Sequence, residues 1–453
     1  MFSRRDLFKL ILPMILQQAL TITVSTVDSM MVASAGEAAV SGVSLVAEFD
    51  ALLIIAFSSL VTGGAVAVSH ALGRKDREFG NGCVKQLLYI TTGIALMLTV
   101  LVSVFREPIL RTLYGSADIP VLNAANSYMR ITLLSLPFLA IYLSCDAVFR
   151  SMGDTVTGLK MSALSNVLNV VGNSIFIFGC GLGAAGAAAA TLIARLVCSV
   201  ILIIKLHNRS NPIYIEKLFS YRPDRAVIAQ MLRIGVPHGI ENSMFQFGRL
   251  ATQVLISSMG TAAIAANSVA NTLANYLYLA SGAIGNAAIT VVGRCIGAQE
   301  YDQSRHYAIR LLFLEYICMW GLSLVLFIFG KPIISIYNLS AEGARIAMEL
   351  TIFHCIVTSL IRPPAFTLPS IFKAAGDAKY SMAVSVISMW VIRIGLSYIL
   401  SPESINIFGI TIPGFGIGIM GVWIAMAADW VLRVVLFTIR FKNGKWLKHK
   451  IQP

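Results

Sequence analysis

Continuous apolar stretches recur from one end of the chain to the other, beginning near residues 9, 44, 84, 126, 158, 184, 229, 264, 306, 347, 380 and 414. A helix crossing a hydrocarbon core needs about 20 such residues, so the pattern predicts about twelve membrane spans and an all-α polytopic membrane protein. A membrane β-barrel would show segments of roughly ten residues with alternating character, whereas these runs are unbroken and rich in Ala, Leu, Ile and Gly. The first run follows a basic opening (Arg4, Arg5, Lys9) and extends to about Ala33. It is too long for a signal-peptide core and has no convincing cleavage site, so it reads as an uncleaved first span.

Composition agrees with the pattern. Of the 453 residues, 57% are hydrophobic and 13% charged, against roughly 25% charged in soluble domains, and the mean hydropathy is +0.77. The formal charge of +13 raises the question of a nucleic-acid partner, and the placement of the charges answers it. With the N-terminus inside, the inner loops hold Arg74, Lys75, Arg77, Arg150, Lys160, Lys205, Arg209, Lys217, Arg222, Arg225, Arg305, Arg310, Lys373 and Lys379, and the tail adds Arg440, Lys442, Lys445, Lys448 and Lys450. The outer loops hold only Arg106, Arg111, Lys331 and Arg345. That bias obeys the positive-inside rule, puts both termini in the cytoplasm and leaves no charge that needs nucleic acid. The seven cysteines are scattered without metal-like spacing and predict packing residues rather than disulfides.

Sliding one half against the other reveals an internal repeat. Leu10-Ile11-Leu12-Pro13 matches Ile234-Gly235-Val236-Pro237, and Ser34-x-Gly36 with Ala39-Val40 matches Ser258-x-Gly260 with Ala263-Ile264. Gly73 matches Gly297, and Glu107-Pro108-Ile109 matches Lys331-Pro332-Ile333, all at an offset of 224; Phe149-Arg150 to Gly153-Asp154 matches Phe372-Lys373 to Gly376-Asp377 at 223. Six spans per repeat bring each lobe back to its starting side, so the repeats are parallel. The expected division is an N-lobe over 1–205, a polar linker over 206–228 along the cytoplasmic surface, and a C-lobe over 229–453.

Several of these motifs carry a family resemblance over essentially the whole chain. They are Pro13-Met14 to Val27-Asp28-Ser29-Met30-Met31-Val32-Ala33, the helix ends Gly73-Arg74-Lys75-Asp76 and Gly297-Ala298-Gln299-Glu300, the two Gly-Asp turns, and Asn169-x-x-x-Asn173 before Ile175-Phe176-Ile177-Phe178-Gly179. In this order they resemble the multidrug and toxic compound extrusion (MATE) family of cation-coupled antiporters. The resemblance implies a V-shaped fold of two six-helix lobes that alternates access and expels organic, often cationic or amphipathic compounds in exchange for Na⁺ or H⁺.

Ionisable groups inside hydrocarbon are costly and therefore mark function or buried structural pairs. Asp28 lies 19 residues beyond Lys9 in the first span, roughly 28 Å at 1.5 Å per residue. Asn169 and Asn173 precede the outer end of the fifth span, and Thr191 follows the outer start of the sixth, so all four fall at similar depth. Their oxygens suit a hard cation such as Na⁺, and a desolvated carboxylate suits H⁺. In MATE relatives the resembling positions form a cation site. Many relatives have Asp where this chain has Asn173, which removes a formal charge and leaves the coupling ion open. Asn166 falls on the same face. Arg195, one turn from Thr191, either neutralises Asp28 or Asp146 or braces the lobe, and Asp146 pairs with Arg150.

The second lobe has polar stripes of its own. Asn242, Gln246, Arg249 and Gln253 recur at helical spacing on the seventh span, Asn267, Asn271 and Asn275 on the eighth, and Glu241 follows Pro237 by one turn. These residues line a substrate cavity, form a gate near the cytoplasmic end, or pack helices. Asp429 and Arg433 form an i,i+4 pair with Arg393 as a further partner, a structural ion cluster. His354 and Arg362 have no assigned role. His70 reads as interfacial, and Glu48 and Asp50 as acids at the outer mouth of the second span. Pro13, Pro137, Pro237, Pro363, Pro364 and Pro369 permit kinks.

The expected function is a secondary antiporter, acting as a monomer in the inner or plasma membrane on a small organic substrate, with no cofactor beyond the coupling Na⁺ or H⁺. A flippase for a lipid-linked precursor is the nearest alternative. An enzyme would need a motif such as HExxH, GxSxG or a P-loop, and the chain has none.

Overall fold

The computed structural model describes residues 2–115, 117–216, 220, 222–407 and 410–448; Lys217 and Lys450, counted above among the inner cations, lie outside them. Long helices dominate: α1 (Arg4–Ala33), α2 (Glu37–Arg74), α3 (Arg77–Val104), the short α4 (Arg106–Tyr114), α5 (Ile119–Met152), α6 (Thr155–Asn173) continuing through a π turn (Ser174–Gly179), and α7 (Gly183–Leu206). Then follow α8 (Arg225–Ser257), α9 (Thr261–Gly297), α10 (Tyr301–Ser335), α11 (Ala341–Ala374), α12 (Ala378–Ile387), a second π turn (Ser388–Ile394), α13 (Gly395–Leu400) and α14 (Ile419–Lys442).

Among the described residues, eleven helices are long and apolar enough to cross a membrane. The twelfth expected span, α8, has the length at 33 residues, but Arg233, His238, Glu241, Asn242, Gln246 and Arg249 dilute its apolar character. Two stretches depart from expectation. The segment before the last span forms a hairpin in which Ser404–Ile407 pairs antiparallel with Ile410–Pro413, so that span starts at Ile419 rather than near 414. The repeat partners Glu107-Pro108-Ile109 and Lys331-Pro332-Ile333 also diverge: the first lies in separate α4, the second inside α10.

The chain divides into two compact units, residues 1–236 with 297–299, and 237–296 with 300–453. The repeat is written in their turns. Gly36 and Gly260 take positive φ of 103° and 90°, Lys75 and Gln299 of 59° and 60°, Gly153 and Gly376 of 88° and 85°. Helices ending in a left-handed residue followed by an Asp or Glu at the next helix's N-cap position thus recur at the offset seen in the sequence, with side-chain caps from Asp76 and Asp154 and none from Glu300 and Asp377. Asp154 caps α6 by accepting from the Thr157 amide at 3.0 Å, whereas its counterpart Asp377 accepts from Arg440 Nε at 2.9 Å.

In the first unit α5 packs against α2, α3 and α7. Small residues make that closeness possible: a Cβ on Gly42 of α2 would lie 2.7 Å from the Ala125 nitrogen of α5, the close-packing device of membrane helices. The segment after α7 docks on the start of α3. Arg77 Nη2 donates to the carbonyls of Arg209 and Asn211, each at 2.8 Å, the Tyr214 amide donates to Asn81 at 2.9 Å, and Ile213 and Ile215 are buried. In the second unit the core gathers Leu350, Trp423 and Trp430 from α11 and α14.

Candidate functional site

The two helices that carry most of the first site approach unusually closely. A Cβ on Gly172 of α6 would come within 2.7 Å of the Ala190 Cβ on α7. That proximity lets Asn169 Nδ2 reach Thr191 Oγ1 at 3.1 Å. One turn further along α6, the fully buried Asn173 donates from Nδ2 to Asp28 Oδ1 of α1 at 2.5 Å and to Asn169 Oδ1 at 3.2 Å. The four residues expected at one depth therefore form one hydrogen-bonded chain across α1, α6 and α7. Asn173 Oδ1 is buried without a hydrogen-bond partner, and the π turn begins at the next residue. Such turns widen a helix and recur at functional sites. Asn166 Nδ2 is likewise buried without a hydrogen-bond partner.

Arg195 does not reach Asp28 or Asp146. It donates to Ser135 Oγ at 2.7 Å and pairs with Asp50 at 3.0 Å. Asp50 is therefore a half-buried residue well inside α2, which begins at Glu37, rather than an acid at a helix mouth. Glu48, two residues away, points elsewhere and is exposed. Asp146 pairs with Arg150 at 2.9 Å. His70, near the end of α2, is buried.

In the second unit the predicted polar positions sort into separate groups. Glu241 is held by Lys373 at 3.7 Å, His238 at 3.6 Å and the Ser385 hydroxyl at 2.8 Å. Asn242 lies 3.4 Å from His238, Gln246 accepts from Arg249 at 3.5 Å, and Asn275 is exposed. A separate cavity is lined by Arg249, Gln253, Asn267, Asn271, Arg393 and Trp423, among others. The expected ion cluster is reduced to one pair: Arg433 Nε meets Asp429 Oδ1 at 2.8 Å. Arg393 makes no ion pair with Asp429 within 4.0 Å; Asp429 Oδ1 is taken by Arg433 one turn along the same helix and by the Ser388 hydroxyl, and Oδ2 is buried without a hydrogen-bond partner. Arg393 instead stands 5.6 Å from the Phe245 ring centroid.

A third group was not anticipated. Glu315 of α10, fully buried, accepts from Ser281 at 2.5 Å and from Thr367, and lies 3.8 Å from Arg362. Arg362 in turn covers the Tyr278 ring at 3.9 Å, and Tyr278 Oη lies 2.8 Å from His354 Nε2. This gives Arg362 and His354 a place in the fold. The available signal was a single carboxylate inside the apolar run Leu311 to Cys318.

The sequence matches the MatE family over residues 13–175 and 237–399, one match in each half. It is 25% identical to the uncharacterized transporter YisQ of Bacillus subtilis over 98% of this chain and 95% of that protein. It is 23% identical to the probable multidrug resistance protein NorM of Thermotoga maritima over 99% of this chain and 94% of that one. Among solved structures, an outward-facing multidrug resistance MATE family transporter of the MOP superfamily aligns with a TM-score of 0.85 at 18% identity, covering 97% and 96% of the two chains. A MATE structure in the bent conformation aligns at 0.86, also at 18% identity, over 98% and 96%. Two matched halves, a helical polytopic fold and relatives aligned nearly end to end identify this chain as a member of the MATE family of membrane transporters.

Proposed function

We propose that the protein is a secondary antiporter that exports organic, often cationic or amphipathic compounds in exchange for Na⁺ or H⁺, with Asp28 as the coupling carboxylate. The observation that carries this reading is the amide of Asn173, which points its nitrogen at Asp28 and keeps its oxygen unpartnered in a buried position. In this arrangement the amide donates to the carboxylate, a bond that stabilises its charged form. A Na⁺ arriving at Asp28 favours the opposite amide orientation, with the oxygens of Asn173, Asn169 and Thr191 as further hard ligands. A proton arriving instead removes the charge that Asn173 serves. Either event changes the energy of this helix junction, and an ion that binds two conformations unequally shifts their balance by that difference.

The charge bias along the loops supports an orientation with both termini in the cytoplasm and a place in the inner or plasma membrane. The four coupling residues complete the site within one chain, and a monomer is the proposed working unit. The reading is tested by dye efflux from proteoliposomes: the wild-type chain moves a cationic dye when an ion gradient is imposed, and Asp28→Asn does not. Equal gradient-driven efflux by both proteins rejects Asp28 as the coupling group.

A further inference from the structure

The cavity in the second unit has an unusual balance of donors and acceptors. Its charged lining residues are Arg249 of α8 and Arg393 in the second π turn, and no carboxylate lines it. Neither arginine makes an ion pair within 4.0 Å among the described residues, and Arg393 Nε is buried without a hydrogen-bond partner. The nearby acids are committed elsewhere: Asp429 to Arg433 at 2.8 Å, and Glu315 to Ser281, Thr367 and Arg362. Arg393 feels Asp429 electrostatically, but that carboxylate makes its ion pair with Arg433. Two guanidinium groups therefore face this space without an ion-pair partner within 4.0 Å among the described residues.

The amides add to the same polarity. Trp423 Nε1, which can only donate, binds Asn267 Oδ1 at 3.1 Å. That contact fixes the orientation of the Asn267 amide and leaves its NH₂ as the group with hydrogens to spare. Ile256, Val422 and Met426 supply an apolar wall. The cavity has a volume of about 60 Å³, room for a few waters or one oxyanion. A lining rich in donors and without a carboxylate, beside an apolar wall, is complementary to an acid group on an amphipathic molecule. Guanidinium forks bind carboxylate, sulfonate or phosphate in two-point contacts, more strongly where water is scarce.

We infer that this recess, built on Arg249 and Arg393 with the Asn267 amide, is a subsite for the anionic group of an amphipathic molecule. Calling that molecule a substrate rests on the antiporter reading; the recess itself does not. Arg249 lies 24 residues into α8, about 36 Å along its axis. In the proposed orientation this is the outer part of the lobe, where cargo is released. The same chemistry is offered by a phospholipid headgroup, so the test must separate the two sources.

The test uses two xanthene dyes of opposite charge, fluorescein and rhodamine 123, titrated by anisotropy onto the full-length protein in phosphatidylcholine nanodiscs. The wild-type chain binds fluorescein, Arg249→Gln weakens that binding by about tenfold or more, Arg249→Lys, which keeps the charge but not the two-point fork, weakens it less, and rhodamine 123 binding does not weaken. Arg249 is exposed, so its replacement leaves the fold intact, which a thermal melt verifies. Loss of fluorescein binding on adding phosphatidylglycerol assigns the recess to lipid headgroups, and unchanged binding assigns it to the solute. Failure of wild-type protein to bind fluorescein, or an equal effect of Arg249→Gln on both dyes, overturns the inference. Gradient-driven efflux of rhodamine 123 in that case leaves the antiporter reading standing. Fluorescein binding without movement of either dye under any gradient rejects the antiporter reading and leaves the recess.

Discussion

The charged side chains inside this protein differ in how their surroundings meet them. Asp429 and Arg433 are both buried and pair at 2.8 Å, with the Ser388 hydroxyl donating to Asp429 Oδ1 and the Ser385 carbonyl accepting from Arg433. Removing one member strands the other, at a cost of about 3–5 kcal/mol, whereas replacing both with apolar residues is close to neutral. Arg433→Met should therefore lower the thermal unfolding midpoint of the solubilised protein markedly, and Asp429→Leu with Arg433→Met should recover most of the loss; an unchanged midpoint in the single variant contradicts the structural role. Asp28 differs in kind. Its carboxylate is met by one amide and by no cation within ion-pair distance among the described residues. Asn173→Leu should accordingly impair transport as Asp28→Asn does, because it removes both the donor to the carboxylate and the oxygen offered to an ion.

Helix packing decides whether those residues meet at all. The Asn169–Thr191 bond exists because Gly172 and Ala190 let α6 and α7 approach. Gly172→Ala should separate the helices and reduce gradient-driven efflux, and adding Ala190→Gly should restore it. If the single variant transports normally, the spacing of this junction is not critical. The depth of the site was legible in the sequence, since Asp28, Asn169, Asn173 and Thr191 each fall a countable number of turns from a helix end. The partners of Arg195 were not. Asp50 had been placed at a helix mouth because α2 starts at Glu37, seven residues before its apolar run begins to stand out. The hairpin at Ser404–Pro413 escaped for a similar reason: a short alternating segment beside a long apolar span gives no periodic signal of its own.

Across the whole molecule, one architecture is used twice with different polar contents. The paired left-handed turns at 36 and 260, 75 and 299, and 153 and 376 preserve the backbone plan. The first unit uses it to assemble a carboxylate with amides and a hydroxyl; the second assembles a Glu241–Lys373–His238 group, a Glu315–Arg362 group and an arginine-lined recess. The repeat was legible because turn residues are constrained by backbone geometry. The Glu315 group was harder to read, since its members come from the three consecutive helices α9, α10 and α11 and only their packing brings them together. Antiport is the claim on which the rest depends. Its most direct test is efflux of a fluorescent cationic dye from proteoliposomes under an imposed Na⁺ gradient and, separately, an imposed pH gradient. The account predicts uphill dye movement driven by one of the two and abolished in Asp28→Asn. Dye movement that neither gradient accelerates, from correctly folded protein, would contradict it.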